Sequence, residues 1–188
     1  MLLSGPVAAQ GIPEGTKTLQ LSKVILDTET SEATARVKGG TLCVFPSTVT
    51  LPKEKKTQDY ERFDNLFTGR MKSAGFTVVS TSSNMFASED DKNKADYMIG
   101  VTLRPVSMNL CSSVNGYKCD YSVKAEWQIY DRADGKTVET LTTTGRGEQA
   151  KFAMNGLDQM LNAAFTAHLA ALVETGVMQK YVQPTVAQ

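Results

Sequence analysis

The chain has 188 residues, with 20 basic and 20 acidic side chains and a formal net charge of zero. Proteins that bind nucleic acids usually carry a basic excess or a basic stripe, so the composition argues against a nucleic-acid partner. No apolar run reaches the ~18 residues that a transmembrane helix requires, and we expect no transmembrane segment.

The first residues resemble the end of a secretory signal. Small residues stand at Val7 and Ala9, which places them like the −3 and −1 residues of a cleavage site before Gln10. No Cys follows them, so this route supplies no lipid anchor. We therefore expect a periplasmic or secreted protein in which residues 1–17 are a signal remnant or a flexible N-terminus.

The segments that follow predict two strands. Residues 19–26 are strand-like, whereas residues 27–40 are polar and predicted to be a loop. Residues 41–46 form a continuous apolar run, which is typical of a central strand buried on both faces. That run contains Cys43, which we expect to be buried.

A helix and a further strand come next. Thr57 is a suitable N-cap residue, apolar side chains then recur at the helical spacing of three and four, and Gly75 suits the C′ position. Residues 76–79 are strand-like. Strand, helix and strand in this order predict a βαβ unit with a parallel pair of strands.

The second half of the chain has the pattern of an antiparallel meander. Three segments, residues 95–104, 121–129 and 136–144, alternate in polarity or are rich in Thr, as strands with one face in water are. Pro105 predicts an edge position or a bulge in the first of them. Trp127 falls on the apolar face of the second, so we assign it to the core.

The last predicted element is a helix. Residues 145–148 are expected to form a loop, Asn155 to cap the helix and Gly176 to end it. The sequence thus predicts one α/β (α+β) domain at residues 18–182, followed by a flexible tail at residues 183–188. Its sheet is mixed, with a βαβ unit followed by an antiparallel meander, and two main helices pack on the sheet.

The chain contains three cysteines, Cys43, Cys111 and Cys119. The last two flank a polar stretch with Asn115-Gly116, a strong hairpin-turn signal, and cysteines across such a turn can lie within bridging distance. A zinc or redox pair is the alternative, but it lacks the C-x-x-C spacing and a second pair of ligands. The sequence therefore predicts a Cys111–Cys119 disulfide, which fits an oxidising compartment, and leaves the pairing of Cys43 open.

The residue sets of familiar catalytic sites are missing from the sequence. The single histidine, His168, lies on the apolar stripe of the last helix, where we expect a partly buried side chain. The chain has no H-E-x-x-H, G-x-S-x-G, Walker A or G-x-G-x-x-G pattern. We therefore predict a protein that is not an enzyme and that holds no cofactor.

Two surface segments have alternative interpretations. The adjacent acids Glu89, Asp90 and Asp91 lie in a polar loop, which is usually solvated but could hold Ca²⁺. The threonines of the last predicted strand belong either to an ordinary exposed strand or to a sheet edge on which another chain adds a strand. The candidate edge residues are Thr140, Thr142 and Thr144.

Four short stretches, residues 43–46, 71–79, 95–100 and 127–131, carry a resemblance to a known type of protein. In their order and content they resemble small bacterial envelope proteins of the TolB amino-terminal and curli-secretion-lipoprotein type. The resemblance spans residues 41–175, although the chain lacks the lipidated Cys common in those families. It implies the same fold and a periplasmic accessory or assembly subunit without catalysis.

These observations predict a non-catalytic accessory or assembly subunit of a bacterial envelope complex. Its partners would be other envelope proteins or further copies of the chain. The alternative is a periplasmic binding module for a small ligand or glycan. Such a module would use a pocket between the helix that begins at Thr57 and the sheet, or the loop from Glu89 to Asp96.

Overall fold

A computed structural model describes residues 17–29, 34–40, 42–50, 52–58, 60–80 and 95–182. Within these residues, no helix is long and apolar enough to cross a membrane. The strands and helices follow in chain order: β1 (Leu19–Asp27), β2 (Thr34–Gly39), β3 (Phe45–Thr50), β4 (Lys55–Thr57), α1 (Tyr60–Ser73), β5 (Tyr97–Ser113), β6 (Gly116–Asp131), β7 (Lys136–Ala153), α2 (Gly156–Glu174) and α3 (Val177–Tyr181).

The sheet is built around β5, a strand of 17 residues. One edge of β5 pairs with β6 in antiparallel fashion along its whole length. The other edge pairs in parallel first with β1 and then with β2. The short strands β4 and β3 extend the sheet beyond β1 and β2, and β7 extends it beyond β6. The predicted mixed sheet with an antiparallel meander is therefore confirmed.

The parallel pair that flanks α1 in sequence is β1 and β5, although β2, β3 and β4 intervene before the helix, and neither of the two strands that the sequence assigned to the βαβ unit forms as predicted. Helix α1 ends at Ser73, and Gly75, with a φ of 87°, follows it as the predicted C′ residue. The predicted strand at residues 76–79 is reduced to a single bridge between Val78 and Leu19. Strand β4 already pairs with β1 at Ile25 to Asp27, so only the start of β1 is left for residues 76–79.

The prediction of a buried central strand at residues 41–46 is wrong. Gly40, with a φ of 81°, turns the chain before the apolar run, and Leu42 and Val44 are exposed. Strand β2, within the stretch predicted to be a loop, takes the place beside β5 instead. In β2, Ala35 is buried and Val37 is half-buried, whereas Arg36 and Lys38 between and after them are exposed. This alternation of apolar and polar residues is short and lies within a mostly polar segment.

The meander strands are longer than predicted. Strand β5 continues through Pro105, where the register with β6 shifts by a bulge, as Pro105 indicated. Strand β7 continues through Gly145 and Gly147, so the loop predicted at residues 145–148 is wrong. These glycines serve close packing: a Cβ at Gly147 would lie 2.0 Å from the carbonyl oxygen of Met160 in α2.

Both long helices pack on the same face of the sheet, the core face. Trp127 of β6 is fully buried and lies 6.0 Å from the Phe165 ring of α2, which in turn contacts Phe63 of α1 at 4.7 Å between ring centroids. These distances suit favourable aromatic pairs. The predictions of Trp127 in the core and of two main helices on the sheet are confirmed. No helix of the described residues covers the other face, the open face.

Replacing Gly147 with Ala should destabilise the fold, because the new methyl group would force the backbone of α2 away from β7. We expect the free energy of unfolding to fall by about 1–3 kcal/mol, the usual cost of overpacking. Gly100→Ala is the matched control, since a Cβ at Gly100 in β5 meets nothing within 4 Å. Urea denaturation of both variants measures the difference, and equal stabilities would contradict this packing.

Candidate binding surface

His168 lies in the core and not in a cleft. The side chain is fully buried, and its Nδ1 atom is 2.9 Å from Oγ1 of Thr143. The same Oγ1 accepts a hydrogen bond from Nε1 of Trp127 at 2.9 Å, which leaves the threonine hydrogen free to be donated to Nδ1. Nε2 of His168 has no hydrogen-bond partner among the described residues. The sequence predicts a partly buried histidine on the apolar stripe of the helix, and the structure buries it completely.

Burial lowers the pKa of His168 from 6.5 to about 4, because a charged imidazolium would lose its solvation. The ring is therefore neutral at physiological pH. A general base needs a substrate proton within hydrogen-bond reach. His168 contacts Thr143 and the backbone of Gly145, where an added Cβ would come within 2.8 Å of Nε2. We assign the residue a structural role.

The depressed pKa of His168 predicts acid sensitivity. The unfolded chain binds a proton near pH 6.5 and the folded chain only near pH 4, so stability falls as the pH drops through this window. Between pH 7.5 and 4.5 we expect a loss of about 2–3 kcal/mol from this residue. Urea denaturation of the wild type and of His168→Gln at several pH values between 7.5 and 4.5 measures the contribution of the histidine. If the free energy of unfolding of both proteins changes with pH in the same way, the prediction is contradicted.

The candidate metal ligands Glu89, Asp90 and Asp91 lie outside the described residues, so the Ca²⁺ interpretation stays a prediction. Within the described residues, no group of three or more His, Cys, Asp or Glu side chains could hold a metal ion. Asp96, at the end of the same predicted loop, accepts hydrogen bonds from the backbone and hydroxyl of Thr18 and from Lys17 Nζ. Asp96, just before β5, therefore links the start of β5 to the start of β1 through hydrogen bonds.

The predicted disulfide between Cys111 and Cys119 is wrong, because the structure pairs Cys43 with Cys111. Residues directly opposite in an antiparallel pair point to the same face of the sheet. Cys119 lies opposite Leu110, and Cys111 lies opposite Lys118. The two cysteines therefore project from opposite faces of the sheet and cannot meet.

The observed disulfide joins the β2–β3 turn to β5, across 68 residues of sequence and 5.6 Å between Cα atoms. Closing a loop of that length stabilises a fold by about 4 kcal/mol in the chain-entropy model. Cys119 stays a thiol on the core face, with Sγ 3.5 Å from the carbonyl oxygen of Gly156. Burial raises the pKa of the Cys119 thiol, which makes it a poor nucleophile.

Alkylation under denaturing but non-reducing conditions should label Cys119 alone. Trypsin cleaves after Lys118, so Cys111 and Cys119 fall on separate peptides that mass spectrometry distinguishes. Without denaturant, we expect no label, because Cys119 is buried. A label on Cys43 in the oxidised protein would exclude the Cys43–Cys111 bond.

The open face is polar, and one half of it is neutralised by ion pairs. Asp27 is fully buried at the end of β1, and its Oδ2 lies 3.3 Å from Nε of Arg104. Nη1 of the same arginine is 2.8 Å from Glu126, and Lys55 approaches Asp27 at 3.9 Å. The buried carboxylate of Asp27 is thus compensated by two cations, and the charges in this half of the face balance.

The other half of the open face contains a depression beside the disulfide, with a volume of about 330 Å³. Its charged lining comes from the three strands β2, β6 and β7: Arg36, Lys38, Lys118, Asp120 and Glu148. Asp120 also forms an ion pair with Arg146. The depression is open and carries charges of both signs, and the sequence had not indicated it because its residues are scattered from position 36 to position 149.

The predicted edge residues do lie on an edge strand. Among the described residues, β7 pairs only with β6, and Thr140, Thr142 and Thr144 are exposed on the open face. Thr143, between them, points into the core to His168. The structure therefore brings the three threonines together on the exposed side of the edge strand β7.

No family model matches the chain, and no curated protein matches it. Among solved structures, a DUF330 protein from Xanthomonas campestris has a TM-score of 0.44 and 9% identity, covering 88% of this chain and 85% of that one. A minor lipoprotein from Acinetobacter baumannii has a TM-score of 0.41 and 13% identity, covering 89% and 96%. The PelC dodecamer from Paraburkholderia phytofirmans has a TM-score of 0.34 and 12% identity, covering 87% and 90%. Scores this low transfer no function, and the resemblance to the TolB amino-terminal type stays a prediction.

Proposed function

We propose that this chain is a non-catalytic accessory or assembly subunit of a bacterial envelope complex, and that it acts through protein–protein contacts. The observation that carries the proposal is the long edge of β7. This strand has 18 residues and, within the described part of the chain, one neighbouring strand. An unpaired strand edge is a template for a strand from another chain.

The middle of β7 lacks the usual protection of an edge. Native proteins discourage strand addition with charged side chains or Pro on the exposed strand. The outer parts of β7 carry such charges, at Lys136, Glu139, Arg146, Glu148 and Lys151. Residues 140–145, Thr-Leu-Thr-Thr-Thr-Gly, carry neither a charge nor a Pro. This uncharged run includes all three candidate threonines and is the part of the edge best suited to a partner strand.

The Cys43–Cys111 disulfide supports an extracytoplasmic location for the subunit. Disulfides persist in the periplasm and outside the cell, whereas the cytosol keeps thiols reduced. The bond also holds the β2–β3 turn on the rest of the sheet, so the domain is suited to an oxidising compartment. A periplasmic or secreted protein is the corresponding proposal.

The edge proposal predicts the effect of two added charges. In Thr142→Lys/Thr144→Lys, two exposed threonines on the open face gain a charge that opposes an incoming strand. We expect retention of an envelope partner, or self-association measured by light scattering, to fall at least about tenfold. Gln128→Lys is the matched control, because Gln128 is exposed, lies opposite Thr140 and belongs to the interior strand β6.

If the double lysine variant retains the partner, or self-associates, as well as the wild type does, the proposal that β7 is the contact edge is overturned. A strictly monomeric protein that retains no envelope protein would overturn the assembly function itself. Both substituted threonines are exposed, so the folded state should persist, and circular dichroism at equal concentration checks this.

The depression beside the disulfide favours a second candidate, a binding module for a small ligand or glycan. Its volume of about 330 Å³ and the charges of both signs in its lining suit a zwitterionic molecule or a glycan. A ligand that binds only the folded chain raises Tm. A thermal-shift screen with sugars and with Ca²⁺ therefore separates this candidate from the assembly subunit.

A further inference from the structure

Large apolar side chains are exposed together at one end of the sheet, which we call the apolar end. Leu42 is 81% exposed, Phe45 73%, Val114 92% and Met154 78%, and Val44 is also exposed. They lie in or beside three connections: the β2–β3 turn, the β5–β6 turn and the β7–α2 turn. Of the large exposed hydrophobic residues in the described chain, only Val106 lies elsewhere.

The pairing of the strands brings these three turns side by side. Gly40 donates a backbone hydrogen bond to Ser112, which places the β2–β3 turn at the end of β5. A Cβ on Gly116 would lie 2.6 Å from the backbone nitrogen of Met154, so the other two turns touch. Five adjacent strand ends, from β3 to β7, span about 19 Å at the usual strand spacing. The apolar residues thus form a continuous strip.

Within the segments that form this strip, every charged side chain is a lysine, whereas the acidic residues Asp120 and Glu148 lie farther along β6 and β7, in the depression. The segments that form the end, residues 38–46, 111–118 and 150–157, contain Lys38, Lys118 and Lys151 and neither Asp nor Glu. The three lysines are exposed. A net charge of zero for the whole chain therefore conceals a local basic rim.

We propose that the apolar end docks on the surface of an anionic lipid bilayer. Leu42, Phe45 and the other apolar side chains at the turns enter the boundary between headgroups and acyl chains, and the lysines contact anionic headgroups. Exposed apolar side chains rimmed by Lys are the combination that holds a protein at a bilayer surface, since apolar burial and charge attraction add. The long axis of β5 then stands away from the bilayer, and the β7 edge stays accessible.

A second copy of the chain fits this end less well. A two-fold interface places the same patch on both subunits, so the lysine-bearing rim of one subunit would come close to the lysine-bearing rim of the other, and the like charges would repel. The internal segment 81–94 joins Ser80 to Ala95 at the opposite end of β5. A segment of fourteen residues that starts and ends there can extend at most about 25 Å. The apolar end lies a full length of β5 away, ~53 Å, so this segment is too short to cover it. An anionic lipid surface complements both the apolar and the basic parts.

Co-sedimentation with vesicles tests this docking. Wild-type protein should bind vesicles of phosphatidylcholine with about 30% phosphatidylglycerol, bind phosphatidylcholine alone at least about tenfold more weakly, and dissociate in high salt. Phe45→Ser/Val114→Ser should weaken binding at least about tenfold, because it removes inserted apolar side chains. Lys118→Glu should weaken binding about fivefold or more.

Val106→Ser is the matched control, because it removes an exposed apolar side chain distant from the apolar end. It should bind like wild type. Equal binding by Phe45→Ser/Val114→Ser and wild type overturns the proposal, as does equal binding to neutral and anionic vesicles. A dimer in light scattering that the double serine variant abolishes, without vesicle binding, also overturns it and assigns the end to a second copy.

Discussion

The structure depends on the pairing of β5 along both of its edges. Because β6 occupies one edge entirely and β1 and β2 share the other, β5 is the interior strand to which the remaining strands are added. Within the described part of the chain, the edges of the sheet then fall on β3, β4 and β7. The first two have six and three residues, whereas β7 has 18. Short edges resist strand addition, so this arrangement leaves one long edge, and that edge carries the proposed function.

The two long helices on the core face impose a second constraint. Helix α2 approaches β7 so closely that Gly145 and Gly147 have no room for a Cβ. The same approach buries His168 against Thr143 and Trp127. The chain thus uses its single histidine for packing, and its stability carries the pH dependence that a buried neutral imidazole causes. A side chain in this position is unsuited to proton transfer with a substrate.

With both helices on the core face, the open face, the β7 edge and the apolar end are left for contact with other molecules. The disulfide fixes the β2–β3 turn, and with it Leu42 and Phe45, onto β5. In this arrangement the two proposed contacts lie on different sides of the sheet. The apolar end, at the ends of the strands, contacts a bilayer, and the uncharged run, along the edge of β7, contacts a protein strand. Each is tested by its own variants, because no residue is shared between them.

The sequence by itself determined the elements that depend on local patterns. The alternation of polar and apolar residues around Trp127 predicted that its side chain is buried. Gly75 predicted where α1 stops, and Pro105 predicted the bulge in β5. Tertiary structure alone decided which face each cysteine occupies, since Cys111 and Cys119 are near in sequence but separated by the sheet. It also decided that the apolar run at residues 41–46 is exposed, because a strand is buried by the neighbours it pairs with, and β2 had taken the place beside β5.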